Sequence, residues 1–398
     1  MEKMNRILLG FILFFVALSS FAKGKKVESI REKDFVDTIK VSYENNVMIM
    51  PVKIGDRYYR FMFDTGCSCF LLNDSLRHLM QETGHKTKCT DFNAVRKSLD
   101  DGVLPEVTLG KTHLTNVEVK AMTYNYPFGI DGCIGMHELN NSDIITKMDL
   151  KDSIIIITDR KDFFANEKGQ VMNYYPKHVC PHVNFSLSHG CKGRFMTFDT
   201  GCNSFMFLND FYYKKSLKGK NKDLFMKQIE WVDIGSVSYS VHGIEKGNEH
   251  VFMKFDEVKL GNLMCINNIP TEVSSGGTVI GCRILEYGSM IMDSHAHTLT
   301  FQPYDKTSEN INITQHEKTV FIRVDNDKMV VSLINPNGKE YKQGLRKGDV
   351  LIECNGVPIT CKDDYLLRVR PQIDKLESYK AKFKNKEGQI IEIERNKD

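Results

Sequence analysis

Asp64 and Asp199 each open the tripeptide Asp-Thr-Gly, and apolar residues flank each tripeptide on both sides. Phe61-Met62-Phe63 leads into the first and Phe70-Leu71-Leu72 follows it; Phe195-Met196-Thr197-Phe198 and Phe205-Met206-Phe207-Leu208 bracket the second. An aspartate in an ordinary turn lies among polar loop residues, and a carboxylate among apolar ones is costly unless it has a partner. Two carboxyls about 3 Å apart cannot both ionise, so they share one proton. Such a pair can act on water: the ionised member takes a proton and the protonated member donates one.

The elements around the two acids recur as well. Val107-Thr108-Leu109-Gly110 matches Val258-Lys259-Leu260-Gly261, and Cys133-Ile134-Gly135 matches Val279-Ile280-Gly281. Met148-Asp149 before the Ile154–Ile157 run matches Met292-Asp293 before Leu299-Thr300-Phe301. The landmarks keep their order while their offset grows from 135 to about 150 residues, through a longer middle loop in the second copy. Two copies of one module, not a many-unit solenoid, account for this. The copies span 28–160 and 177–304, with 161–176 as connector. Each reads as strands: Val47–Ile54, a tight turn at Asp56-Arg57, and a β-rich stretch from Tyr58 to Phe61 predict a hairpin. Ser75 to Gln81 predicts a short helix.

On these motifs residues 28–304 resemble a bilobal aspartic protease, each lobe similar to a retropepsin-like half. The resemblance implies a mainly β fold in which the two Asp-Thr-Gly loops meet at a pseudo-twofold axis, with the apolar-apolar-Gly segments crossing behind them. It implies that Asp64 and Asp199 form a catalytic dyad and that Thr65 and Thr200 lock the loops by hydrogen bonds. Gly66 and Gly201 let backbone amides approach the carboxylates. The implied activity is hydrolysis of polypeptides by an endopeptidase that needs no metal, cofactor or covalent intermediate. One chain carries both halves of the dyad, so a monomer suffices. A catalytically silent peptide-binding or scaffold protein on the same fold is the alternative.

Where pepsin-like enzymes often carry Ser or Thr and retropepsins Ala, both motifs here continue with Cys, at Cys67 and Cys202. A thiol is a weak donor and supports carboxylate ionisation less than a hydroxyl, and similarity to the Ala-bearing branch implies activity at mildly acidic to near-neutral pH. Matched small buried residues or a Cys67–Cys202 disulfide across the axis both fit the pattern. Thr83–Val103 and Glu230–His250 are the candidate substrate-covering flaps; Trp231 and Tyr239 read as core aromatics rather than site residues.

Beyond residue 305 the repeat has ended. Gly344-Leu345-Arg346-Lys347-Gly348-Asp349-Val350-Leu351 followed by Asn355-Gly356 resembles a PDZ domain of the kind attached to bacterial proteases, an α+β module over 305–398. Its helix is expected over Asp363 to Leu376, interrupted near Pro371, and its closing hairpin around Glu387-Gly388. Such modules add a peptide strand to a sheet edge, but a Gly-rich carboxylate loop is not evident, and Asp325 and Asp327 stand in that region. Peptide capture and packing on the protease lobes are both open.

Lys3 and Arg6, the apolar run Ile7–Leu18, and small residues at Ser20 and Ala22 read as a secretory signal over 1–22. Export to a periplasmic or extracellular space follows, with an uncleaved anchor as the alternative. Lys and Arg total 54 against 51 Asp and Glu, a net +3 without charge blocks, which gives nucleic-acid binding no support. No other apolar run approaches the roughly 20 residues that span a bilayer. The 11 cysteines form no dense disulfide framework. His178, Cys180, His182, His189 and Cys191 cluster, but their spacing matches no ordinary zinc finger. His295 and His297 read as a surface turn or strand, and His137-Glu138 lacks the second His of a zinc protease. No metal or cofactor site is expected.

Overall fold

The computed structural model describes residues 28–30, 34–122, 129–136, 144–236, 239–240, 242–245, 247–261, 264–308, 310–315 and 318–396. The signal segment 1–22 and His137-Glu138 lie outside these, as does the side chain of Tyr239. The chain is mainly β: two lobes built from the duplicated module, and a C-terminal α+β unit. Among the described residues no helix is long and apolar enough to cross a membrane.

In the first lobe Val47–Ile54 pairs antiparallel with Arg57–Phe63. The turn is Gly55-Asp56, one residue earlier than the sequence suggests, because Gly55 adopts φ +60° and a two-residue hairpin loop needs that conformation. Gly132–Ile134 then lies parallel to Arg57–Phe63 and antiparallel to Phe70–Leu72, passing behind the Asp-Thr-Gly loop. The second lobe repeats this arrangement: Val279–Gly281 runs parallel to Lys192–Asp199 and antiparallel to Met206–Asn209. Gly110 and Gly261, matched in the repeat, both take positive φ, at +61° and +57°, each directly after a strand that ends in Leu.

Ser75 to Gln81 is a 3₁₀ segment, Asp74–Leu79, and Gln81 already begins a strand. The second copy instead carries two α-helices, Asp210–Ser216 and Lys222–Met226, which accounts for the growing offset between landmarks.

A six-stranded sheet joins the lobes. Ile145–Asp149 pairs with Gly288–Asp293, Thr146 opposite Met292 and Met148 opposite Met290. Met148 and Met292 are equivalent in the repeat, so this register is unchanged when the copies are exchanged: a local twofold passes between the two strands. The connector is not loop throughout, since Gln170–Asn173 adds to the edge of this sheet beside Thr298–Pro303. One hydrophobic core runs through both lobes and includes Phe63, Phe198, Phe255 and Phe301.

The C-terminal unit starts later than residue 305. Ile311–Asn312 still pairs with the second lobe, and the unit's own sheet begins at Val320. It has a separate core around Val331, Leu345, Leu351 and Phe383. Asn355-Gly356 turns Val350–Cys354 into Val357-Pro358, both turn residues at positive φ. Asn326-Asp327 forms another two-residue turn, so the region where a carboxylate loop would stand is a tight hairpin. The helix is a wide π-type turn over Asp364–Val369 followed by Arg370–Ile373. Pro371, without an N–H, falls in the first turn of the second piece, where no intrahelical donor is needed.

The unit packs on the second lobe. Trp231 stacks on Phe252 at 3.9 Å and meets Phe321 and Leu333. Ser332 Oγ accepts from the Ser236 amide (3.0 Å) and donates to its carbonyl (2.6 Å). Trp231 is thus a core residue of the interface, not a cover for a peptide.

Candidate active site

Each acid stands at the end of an apolar strand whose final Phe is buried, so the chain leaves the core as it delivers the carboxyl. Asp64 donates its amide to Ile134 O (3.0 Å), which binds the loop to the strand behind it. Beyond the loops, Met136 N donates to Cys67 O in one lobe and Cys282 N to Cys202 O in the other, both at 2.8 Å. Gly135 and Gly281 permit this crossing, since a Cβ on either would overlap the carbonyls of the residues that follow its Asp-Thr-Gly loop.

The two loops interlock through their threonines. Thr65 Oγ1 donates to Phe198 O (2.6 Å) and accepts from Thr200 N (3.0 Å). Thr200 Oγ1 donates to Phe63 O (2.7 Å) and accepts from Thr65 N (3.0 Å). Both threonines are fully buried, and each hydroxyl uses its donor and an acceptor across the lobe boundary.

The glycines complete the crossing. Gly66 N donates to Asp64 Oδ1 (2.8 Å) and Gly201 N to Asp199 Oδ1 (2.9 Å). A Cβ on Gly66 would overlap the Asp199 carboxyl, and one on Gly201 the Asp64 carboxyl. Each glycine therefore holds its own aspartate by an amide and leaves room for the opposite one. The structure brings Asp64, Thr65, Gly66, Asp199, Thr200 and Gly201 together in one place, and the two carboxyls are within side-chain hydrogen-bonding reach of each other.

Both carboxyls are half-buried and open to a cleft of about 2720 Å³. Burial raises the Asp64 pKa; the hydrogen bond with Asp199, the Cys133 thiol and the amides of Gly66 and Cys67 partly offset this. Asp199 is pushed further, well above the usual carboxylate range, by burial and by the neighbouring Asp64 charge. One proton held between two acids is the physical content of that asymmetry.

The cysteines are all free thiols. Cys67 Sγ donates to Cys69 O (3.1 Å) and Cys202 Sγ to Ser204 O (4.0 Å). Each thiol is turned into its own lobe, so no disulfide crosses the axis. The weak donor beside the two carboxyls is instead Cys133, with Sγ 3.5 Å from Asp64 Oδ2; burial pushes that thiol up to about 12. Cys180 crosses between lobes to donate to Gly66 O (3.2 Å).

The histidine–cysteine cluster does not assemble as a set of ligands. Cys180 is committed to Gly66, Cys191 to Tyr212 O (3.5 Å), and His189 lies beside Asp256. His178 meets Tyr175, His182 and Phe195 edge to face, and His182 meets Phe195 in the same way; burial holds His182 down at about 4, with His178 adding to the effect.

The two candidate flap segments meet at the cleft. The hairpin Gln81–Thr90 with Arg96–Leu109 carries a five-residue tip whose Asp91 and Phe92 reach the second lobe. Phe92 N donates to Ser240 Oγ (3.2 Å), His242 N donates to Asp91 Oδ2 (3.2 Å), and the Phe92 ring meets Phe207 at 5.0 Å. The sequence marked both flap segments but not these residues; a hairpin composition is readable, whereas the meeting of two tips about 150 positions apart is not.

The same cleft extends along the C-terminal unit, where the edge strand Val320–Asp325 contributes Phe321 and Ile322 and the helical segment contributes Tyr365, Leu366 and Arg370.

Residues 50–137 match the aspartyl protease family. Among solved structures, the aspartic proteinase from Irpex lacteus is similar at 10% identity and a TM-score of 0.45, over 69% of this chain and 99% of that one. No curated protein matches the sequence.

Proposed function

We propose that the protein is an exported aspartic-type endopeptidase whose Asp64 and Asp199 act as one acid–base unit. The observation that carries this reading is the crossed loop geometry: four threonine hydrogen bonds and two glycines hold the carboxyls face to face over an open cleft. With one proton between them, the ionised carboxyl takes a proton from water as the oxygen attacks the peptide carbonyl. The protonated carboxyl donates to the carbonyl oxygen, giving a tetrahedral gem-diol. Proton transfer to the departing nitrogen then breaks the C–N bond. The family match over residues 50–137 supports the reaction class; export rests on the secretory pattern of residues 1–22.

The C-terminal unit, from Val320, is a PDZ-like module that borders the same cleft. Among the described residues its strand Val320–Asp325 stands at the end of the sheet order and borders the cleft through Phe321 and Ile322, so an extended polypeptide lying across the dyad can continue along it. A peptide-binding role without catalysis uses the same groove and is the second reading.

Cleavage of a peptide mixture across pH tests both. Asp64→Asn and Asp199→Asn are each expected to lower turnover by about 10²- to 10⁴-fold while the fold persists. Cleavage that survives either change rules out the shared dyad, and a wild type inert at every pH favours the binding role.

A further inference from the structure

We propose that Cys67, Cys133 and Asp64 form a zinc site at the edge of the dyad, and that a bound ion takes Asp64 out of acid–base work. The two sulfurs and a carboxylate oxygen all lie within 4.8 Å of one another. Cys133 Sγ is 3.5 Å from Asp64 Oδ2. Asp64 opens the Asp-Thr-Gly turn, Cys67 follows it, and Cys133 comes from the strand that crosses behind it, so the set exists only once the lobe has folded. All three line the cleft, which supplies an entry path from solvent.

The donor set selects the ion. Two thiolates and one carboxylate suit zinc, while magnesium and calcium prefer all-oxygen shells. Zinc takes sulfur at about 2.3 Å and carboxylate oxygen at about 2.0–2.2 Å, and a three-residue set leaves a fourth position for water. Side-chain rotations can draw the three atoms onto such a tetrahedron. On binding, each thiol gives up its proton to solvent and Asp64 coordinates as the carboxylate. Among the described residues the second lobe brings no such trio within the same reach, and the residue equivalent to Cys133 is Val279. The site therefore acts on one aspartate of the pair.

The inhibitory consequence rests on the proposed dyad, whereas the binding of the ion does not, so the two are measured separately. The full chain, reduced with a non-chelating phosphine, is titrated with Co²⁺. One equivalent is expected to produce thiolate-to-cobalt charge-transfer absorption that Zn²⁺ abolishes by displacement. Cys67→Ser and Cys133→Ser should each remove the band, and Cys265→Ser, at a buried thiol in the second lobe, should keep it. Asp64→Asn should weaken binding by at least the about 10- to 100-fold that losses in the outer shell cost. Circular dichroism checks the fold of each variant; if Cys133→Ser does not fold, Cys67→Ser, at the half-buried thiol of the pair, carries the test. No band in the wild type, or a band that survives both cysteine changes, overturns the site. With the band present, peptide cleavage that Zn²⁺ stops and a chelator restores supports the inhibitory role, and cleavage indifferent to Zn²⁺ overturns that role. A band in a protein that cleaves nothing leaves the site standing and removes the protease reading alone.

Discussion

Replacing Thr200 with Val keeps the side chain's shape and removes only its hydroxyl. That hydroxyl donates to Phe63 O and accepts from Thr65 N, at 2.7 and 3.0 Å, and Thr65 and Thr200 are both fully buried. No water can reach the two backbone groups left behind, and stranding a buried polar group costs about 1–3 kcal/mol. Two stranded groups give an expected loss of about 2–6 kcal/mol, against a typical total stability of about 5–15 kcal/mol. Thr200→Ser keeps the hydroxyl and loses one methyl, for about 1 kcal/mol. Thr65→Val should resemble Thr200→Val, because its hydroxyl makes the reciprocal pair of bonds. The double variant should cost less than the sum, by about 0.5–3 kcal/mol, since the four bonds close one junction. Urea unfolding followed by far-ultraviolet circular dichroism measures the midpoints, and hydrogen exchange at the Thr65 and Thr200 amides locates the loss. A Thr200→Val protein within about 0.5 kcal/mol of wild type, or no less stable than Thr200→Ser, would refute the interlocked-loop account, because ordinary surface changes fall in that range.

Three further outcomes follow from the same geometry. Burial raises both carboxyls, Asp199 more than Asp64, so the singly protonated pair persists to higher pH than an isolated aspartate allows. Cleavage should peak at mildly acidic to near-neutral pH, and Cys133→Ala, which removes a donor to ionised Asp64, should move the acid limb upward; a pH–rate profile confined below about pH 3 contradicts this. Trp231→Ala should cost about 3–5 kcal/mol through the cavity it leaves against Phe252, Phe321 and Leu333, and limited proteolysis between the second lobe and the C-terminal unit should accelerate; an unchanged cleavage rate argues against that interface. Phe92→Ala removes the ring contact that seats the flap tip on Phe207 and should raise KM more than it lowers kcat, as steady-state kinetics on one peptide will show; equal effects on both point to a direct part in the chemistry.

Much of this molecule is legible in the chain because the features involved are local. The strands leading to Asp64 and Asp199 show as short stretches rich in Phe and Met, and the matched glycines at 66, 201, 135 and 281 stand where no side chain fits. Repetition then says that whatever one Asp-Thr-Gly loop does, the other does in mirrored company. The errors are local as well. The hairpin turn belongs to Gly55, whose freedom at positive φ outweighs the polar Asp56-Arg57 pair, and Ile311–Asn312, beyond residue 305, still finds an edge on the second lobe.

What the tertiary structure alone decides is which groups meet across the chain. Gly66 and Gly201 each lie against the carboxyl of the opposite lobe, Cys133 turns toward Asp64, Cys180 toward Gly66, and the hairpin tip at Phe92 toward Ser240. These pairings join residues from about 70 to 150 positions apart, and their partners are set by the path of the backbone and the packing of two lobes about a twofold. Composition and spacing name the groups that can react; only the folded chain says which of them stand within reach of one another.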